Sequence, residues 1–279
     1  MNNTVKTSMK SLLVAMITAS SLSGAALAQD QYVRYEQDGK ISWGMIHGDT
    51  VHQLQDAPYL DDTHTGVIVQ RDAVKLKAPV DPKLVVMTAL NFRSHISGEP
   101  ASYPGLFIVP PGSIIGHEED IIRPADSSNL HYEAEMVVVI GKRAHKVSEA
   151  DAHEYVFGVS AGNDVSERLW QRNDLQWTRA KGSDTFNTVG PVLVTGLDYK
   201  NLNIAGRLNG EQRQGENTSD MIFSIDHMVS YISHHFTLEP GDLIWTGTMG
   251  STRAMEPGDV YEVEVEGVGV LRNRVVQGK

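Results

Sequence analysis

The stretch Leu130-His-Tyr-Glu133-Ala-Glu135-Met-Val-Val-Val-Ile-Gly141 constrains the fold of this chain more than any other. Met136 to Ile140 is an unbroken apolar run rich in β-branched residues and closed by Gly141. It reads as a strand buried on both faces, because a strand wetted on one side alternates. Glu133 and Glu135 stand at i and i+2, so their side chains leave the same face roughly 6–7 Å apart. The apolar continuation turns that face inward. Two ionised carboxylates there repel each other and lose hydration, which is costly unless a cation or hydrogen bonds compensate. Paired oxygen donors suit a hard divalent ion, Mg²⁺ or Mn²⁺, better than zinc. The plainer alternative is a solvated strand face, as Glu262-Val-Glu-Val-Glu266 is expected to be. On this stretch alone both readings stand.

A third acid lies downstream. Gly162-Asn-Asp164-Val-Ser-Glu-Arg168 is a polar, turn-like segment, and Arg179-Ala-Lys181-Gly-Ser-Asp184-Thr185 is a loop with two cations and two hydroxyls. Cations beside a metal suit an anionic, oxygen-rich substrate such as a keto acid. Taken singly, Asp164, Arg168, Lys181 and Asp184 each read first as a surface salt bridge or a turn residue. The acid/base candidate is His95 in Asn91-Phe-Arg-Ser-His-Ile-Ser-Gly-Glu99. If that segment is helical, Glu99 at i+4 shares a face with His95 and can orient it. Gly98 and Pro100 keep any such helix short. His52 and the pair His234-His235 have no acidic partner at useful spacing.

Around these segments the chain is patterned for strands. Asp38-Gly39 between Tyr32–Tyr35 and Ile41–Ile46 is a hairpin signal. Leu84–Met87, Gly190–Thr195, Asp242–Thr246 and Val260–Glu266 follow as strand candidates. Helical patterns are few: Ser148–Val156, opened by a near capping box, and Ile225–Phe236, with Ile225, Met228, Val229 and Ile232 on one face. Helices and strands do not alternate regularly, which disfavours a doubly wound sheet or an α/β barrel. The expected class is α+β and strand-rich, with a small N-terminal β-module and linker over 29–80 and the main domain over 81–279.

Residues 1–28 read as an export signal. Lys6 and Lys10 precede an uncharged stretch from Leu12 that ends in Ala26-Leu27-Ala28, and its apolar part is too short to span a membrane. The mature chain is then expected to start near Gln29 and to work in the periplasm or outside the cell, with no membrane anchor. Cleavage removes two lysines and no acid, leaving 22 basic residues against 35 acidic ones. That balance argues against a nucleic-acid partner. There is no cysteine, so disulfides, thiolate metal sites and cysteine nucleophiles are excluded.

Taken together, these motifs resemble the fumarylacetoacetate hydrolase family, in family order from about Tyr32 to Asn273. Asn91-Phe-x-x-His95 resembles its catalytic loop, Leu130–Met136 its metal strand and Asn163-Asp164-Val-Ser-x-Arg168-x-x-Gln171 its third-ligand segment. Arg179-Ala-Lys181-Gly-Ser-Asp184-Thr185-Phe resembles its lysine loop. Asn209–Gln214, Leu238–Thr248 and Glu266–Asn273 complete the set. The resemblance implies a mixed β-sandwich roll, usually dimeric. It implies Mg²⁺ or Mn²⁺ on Glu133, Glu135 and Asp164, with Arg168, Gln171, Lys181, Asp184, Thr185 and Thr248 toward a small keto acid. His95, backed by Glu99, would activate water for hydrolytic C–C cleavage of an acylpyruvate-like substrate through a stabilised enolate. Decarboxylation of a β-keto acid and isomerisation of an enol acid need the same intermediate and are the alternatives. Val109 stands where many members carry lysine, so a non-catalytic binder of small acids on the same fold is the competing reading from another class.

Overall fold

The computed structural model describes Met1 and residues 29–279; the rest of the expected leader lies outside the described residues. The chain opens with β1 (Gln31–Gln37), β2 (Lys40–His47), β3 (Thr50–Leu54), β4 (His64–Gln70) and β5 (Lys75–Lys77). Asp38 and Gly39 join β1 to β2 with φ of 51° and 74°, the left-handed pair that a tight hairpin requires. β6 (Val85–Ala89), β7 (Gly105–Ile108), β8 (Ile114–Ile115), β9 (Ile121–Arg123) and β10 (Leu130–His131) follow. Next come β11 (Ala134–Ile140), β12 (Val156–Asp164), β13 (Ser166–Glu167) and two short helices, α1 (Arg168–Asn173) and α2 (Thr178–Gly182). The last part holds β14 (Asn187–Val194), β15 (Asn203–Leu208), β16 (Glu211–Asn217), α3 (Ile225–His235), β17 (Leu243–Trp245), β18 (Val260–Val265) and β19 (Gly269–Gln277).

The strands form a large twelve-stranded sheet, with the path β4-β3-β2-β1-β14-β12-β11-β17-β6-β7, and a five-stranded sheet ordered β16-β15-β18-β19-β9. The smaller sheet packs over β11, β12 and β14. This is the expected strand-rich α+β sandwich. β11 sits near the middle of the large sheet, between β12 and β17. Met136 and Val138 enter the core shared with Ile204, Val263 and Leu271 of the smaller sheet. Val137 and Val139 enter a second core on the opposite face with Val85, Met87 and Trp245. A strand covered on both sides has no reason to alternate, which explains the apolar run.

The strands before residue 80 extend the same sheet: β1 pairs with β14 at Gln31↔Val194 and Tyr32↔Leu193. Tyr32, Leu54, Tyr59 and Val80 share the second core with β11. α3 buries Ile225, Met228, Val229 and Ile232, as its spacing predicts. The helix expected over 148–156 is only a short 3₁₀ turn at Ala152–Tyr155, although Ser148 does cap Asp151. Among the described residues no helix is long and apolar enough to cross a membrane.

Candidate metal centre and active site

Glu133 lies in the break between β10 and β11, and Glu135 is the second residue of β11. Asp164 ends β12. The antiparallel register pairs Ala134 with Asn163, so the third acid arrives beside the first two although it is distant in sequence. Two bonds lock that arrival: the Glu133 N–H donates to Asn163 Oδ1 at 2.8 Å, and the Asp164 N–H donates to the Glu133 carbonyl at 2.9 Å. One oxygen from each of Glu133, Glu135 and Asp164 lies within 4.8 Å of the others. All three side chains are buried.

Fixed cations and donors surround the acids. Lys181, the buried inward residue of α2, donates to Glu133 at 2.6 Å and to Asp164 at 2.5 Å. Arg168, at the start of α1, reaches Glu133 at 2.5 Å while holding Gln171 Oε1 at 2.8 Å and Thr252 Oγ1 at 2.9 Å. The Gly247 N–H donates to Glu135 at 2.8 Å. Gly247 has φ of 88°, and a Cβ there would stand 2.8 Å from Asn91 Cβ, so only glycine brings that donor so close.

Two cations do not balance three acids. Burial works to raise Glu133, yet Lys181 and Arg168 outweigh it and hold the carboxyl down at about 2. Glu135 is pushed well above its ordinary value, by burial first and then by the charges of Asp164 and Glu133. Burial also lifts Asp164, to about 7, although Lys181 pulls the other way. Lys181 is raised despite its own burial, because Asp164 and Glu133 favour the ammonium. A surplus of buried carboxylate in an oxygen-only donor set fits a hard divalent cation, which supplies the missing positive charge.

The acids open into a small, solvent-connected cavity. His95, Arg168, Gln171, Lys181 and Thr248 line it together with Glu133, Glu135 and Asp164. His95 Nδ1 lies 2.6 Å from the Gly250 carbonyl. A carbonyl oxygen can only accept, so Nδ1 carries the hydrogen, and in the neutral ring the lone pair is on Nε2. Thr248 reaches the wall, but its hydroxyl donates to the Ala134 carbonyl and accepts from Gln214 Nε2, each at 2.9 Å. It positions the metal strand.

Three expectations are corrected. Glu99 does not back His95: its carboxylate pairs with Arg93 at 3.5 Å and is 95% exposed. Helical structure stops after Arg93–His95, and Gly98 turns the chain at φ of 95°, so the i+4 geometry never forms. The Gly250 carbonyl does the orienting instead. Asp184 is exposed, and the Thr185 hydroxyl accepts from the Ile122 N–H at 2.8 Å. Both residues follow the end of α2, where the chain turns away from the cavity; Thr185 has φ of 69°.

Other wall residues carry no signal in the sequence. Thr88, just beyond the strand expected at 84–87, has a buried hydroxyl with no partner among the described residues, and it lines the cavity. Phe107 and Trp177 form an edge-to-face wall with ring centroids 5.3 Å apart, and the Lys181 ammonium lies 5.6 Å from the Phe107 ring centroid.

Comparison with known proteins agrees with this geometry. The family model described as fumarylacetoacetate (FAA) hydrolase C-terminal matches residues 84–276, and one described as Rv2993c-like, N-terminal, matches residues 31–79. The oxaloacetate tautomerase Fahd2a, mitochondrial, of Rattus norvegicus is 37% identical over 75% of this chain and 72% of its own length. The crystal structure of 5-carboxymethyl-2-hydroxymuconate delta-isomerase from Mycobacterium smegmatis superposes with a TM-score of 0.84 at 35% identity, covering 89% of this chain and 100% of that one. A fumarylacetoacetate hydrolase from Exiguobacterium antarcticum superposes at 0.81 with 30% identity, over 89% of this chain and 100% of that one.

Proposed function

Because the chain belongs to the fumarylacetoacetate hydrolase family, we propose that it is a divalent-metal-dependent enzyme acting on a small keto acid. The observation that carries this reading is the meeting of Glu133, Glu135 and Asp164 within 4.8 Å, in the cavity that His95, Arg168 and Lys181 also line. An Mg²⁺ or Mn²⁺ ion held by the three acids would supply Lewis-acid charge compensation to a developing enolate.

The chain's own groups do the rest. Arg168, fixed by Gln171 and Thr252, and Lys181 present positive charge that suits the substrate's carboxylate. The Thr88 hydroxyl is free to hydrogen-bond a substrate oxygen. Phe107 and Trp177 keep water from one side of the cavity. His95 Nε2 takes a proton from the carbon beside the keto group, or returns it, with Nδ1–H held on Gly250.

Within that chemistry, the placement of His95 favours keto–enol isomerisation of a 2-keto acid. Isomerisation needs one proton carrier, whereas the hydrolytic cleavage expected from the sequence relies on a His95–Glu99 pair that stands apart here. The names of the rat tautomerase and the mycobacterial isomerase support the same choice. Hydrolysis of acylpyruvates and decarboxylation of β-keto acids use the same enolate, so one assay separates the three. Enol-oxaloacetate, an acylpyruvate and fumarylpyruvate are offered with Mn²⁺, with Mg²⁺ and with EDTA. The expected result is metal-dependent conversion of the enol; activity indifferent to EDTA overturns the reading. A homodimer and export through cleavage after Ala28 belong to the same proposal, tested by sedimentation and by N-terminal sequencing of the exported protein.

A further inference from the structure

Far along the large sheet from the carboxylates, β2, β3 and β4 bring three histidines onto one surface. His47 ends β2, His52 is central in β3 and His64 opens β4. The ring centroids are 4.3 Å apart for His47 and His52, 5.9 Å for His52 and His64, and 6.3 Å for His47 and His64. They edge a solvent-facing hollow completed by Gly66, Val67 and Ile68. Imidazoles bound to one zinc at Zn–N distances of about 2.0–2.1 Å and tetrahedral angles have ring centres roughly 5 Å apart. The cluster brackets that spacing, although as placed the three rings do not bring their nitrogens within the 4.8 Å that Glu133, Glu135 and Asp164 meet, so binding requires the exposed imidazoles to turn toward one point.

His95, His131, His153, His227 and His234 each hold a protein hydrogen-bond partner. Among the described residues His47, His52 and His64 have none, so their ring nitrogens remain available. His52 is held below its ordinary value, by desolvation first and then by His47 and His64, which keeps its imidazole neutral and its lone pair free at neutral pH. Packing three imidazoles together has no stabilising purpose when protonated, since the cations repel.

We propose that His47, His52 and His64 form a second metal site, selective for a borderline divalent transition ion such as Zn²⁺, with water at the open position. Imidazole donors choose the opposite end of the ion series from Glu133, Glu135 and Asp164: Cu²⁺ and Zn²⁺ bind here far better than Mn²⁺, and Mg²⁺ does not compete. The site is independent of the keto-acid reading, and its test keeps the two apart.

Zn²⁺ binding to the untagged full chain is measured by equilibrium dialysis, and Co²⁺ binding by visible absorption. Glu135→Gln removes an oxygen ligand from the first centre; this variant is expected to retain one Zn²⁺ and to give the intense visible bands of nitrogen-coordinated Co²⁺. Adding His52→Ala abolishes both signals, and adding His64→Gln instead weakens Zn²⁺ binding by about tenfold or more. His64 is exposed at a strand start, so that variant reports even if the His52 change disturbs folding. In the otherwise unchanged chain, His52→Ala leaves Mn²⁺-dependent turnover as it was. Equal Zn²⁺ binding by Glu135→Gln with and without His52→Ala, or no Zn²⁺ on Glu135→Gln at all, overturns the proposal.

Discussion

Two strands of this molecule carry the same Glu-x-Glu pattern and put it to opposite uses. On β11 and the residue before it, Glu133 and Glu135 point into a cavity, and the Glu133 side chain is 6% exposed. On β18, Glu262 and Glu264 are 26% and 43% exposed. The difference lies in the cover. β18 turns Tyr261, Val263 and Val265 to the core and leaves its other face to water. There Glu264 meets Arg207 at 2.6 Å and Glu262 meets Arg272 at 3.7 Å, one partner for each acid. β11 is covered on both faces; there Lys181 pairs with Glu133 and Asp164, Arg168 pairs with Glu133, and Glu135 has only the Gly247 N–H. Acids that water can reach remain ordinary; acids crowded beyond their counter-charges become a cation site.

Substitution at the two pairs should break this contrast if it is wrong. Glu135→Gln is expected to remove Mn²⁺ binding at the carboxylate centre and lower kcat/KM by about 10³-fold, since metal stabilisation is worth several kcal/mol. Glu264→Gln should change kcat/KM by less than about twofold, because an exposed pair is worth about 1 kcal/mol at most and lies outside the cavity. Equal losses in steady-state assays would erase the distinction. The next effect in size concerns the proton carrier. His95→Gln should cost about 10²-fold in kcat with Mn²⁺ affinity retained, whereas Glu99→Gln should cost less than about threefold. A Glu99→Gln loss as large as that of His95→Gln would mean that the 93–100 segment rearranges on substrate and restores the expected pair.

Stability sharpens the same comparison. In metal-free protein Asp164 titrates near 7 instead of 3.8, and Glu135 is raised as well, so the native state binds more protons than the unfolded chain. Stability therefore falls as pH rises from about 4 to about 7, the sign opposite to an ordinary ion-paired acid, and Mn²⁺ flattens the slope. Urea titrations across that window read it directly. At pH 7.5 without metal, Glu135→Gln should stabilise the fold by about 1 kcal/mol, because it removes a poorly compensated buried acid while the Gly247 N–H keeps an acceptor. Glu262→Gln should shift it by no more than about 0.5 kcal/mol.

Much of this was legible before any coordinates. The unbroken Met136–Ile140 run predicts a strand buried on both faces, and the Asp38-Gly39 pair predicts its hairpin, because each depends on neighbours in the chain. The spacing of Ile225, Met228, Val229 and Ile232 does the same for α3. Expectation failed where a short segment had to choose its own conformation. Ser148–Val156 has a cap but too little apolar face to sustain a helix. The Glu99 reading assumed helical spacing that Gly98 interrupts. Asp184 and Thr185 looked like site residues because they adjoin Lys181, yet the turn after α2 carries them outward. His52 looked isolated because its companions, His47 and His64, lie on other strands.

By itself the sequence determined which stretches are strands, which carboxylates are too close together to be comfortable when buried, and which family the motifs belong to. Periodicity, turn chemistry and motif order are local properties, and local properties survive being read one residue at a time. Only the tertiary structure decided that Asp164 meets Glu133 and Glu135, that Gly250 orients His95, that Thr88 offers an unused hydroxyl, and that three histidines share a surface. Those are matters of sheet register and of what covers each face. A cross-strand partner can lie anywhere along the chain, so its identity is fixed by packing rather than by sequence distance.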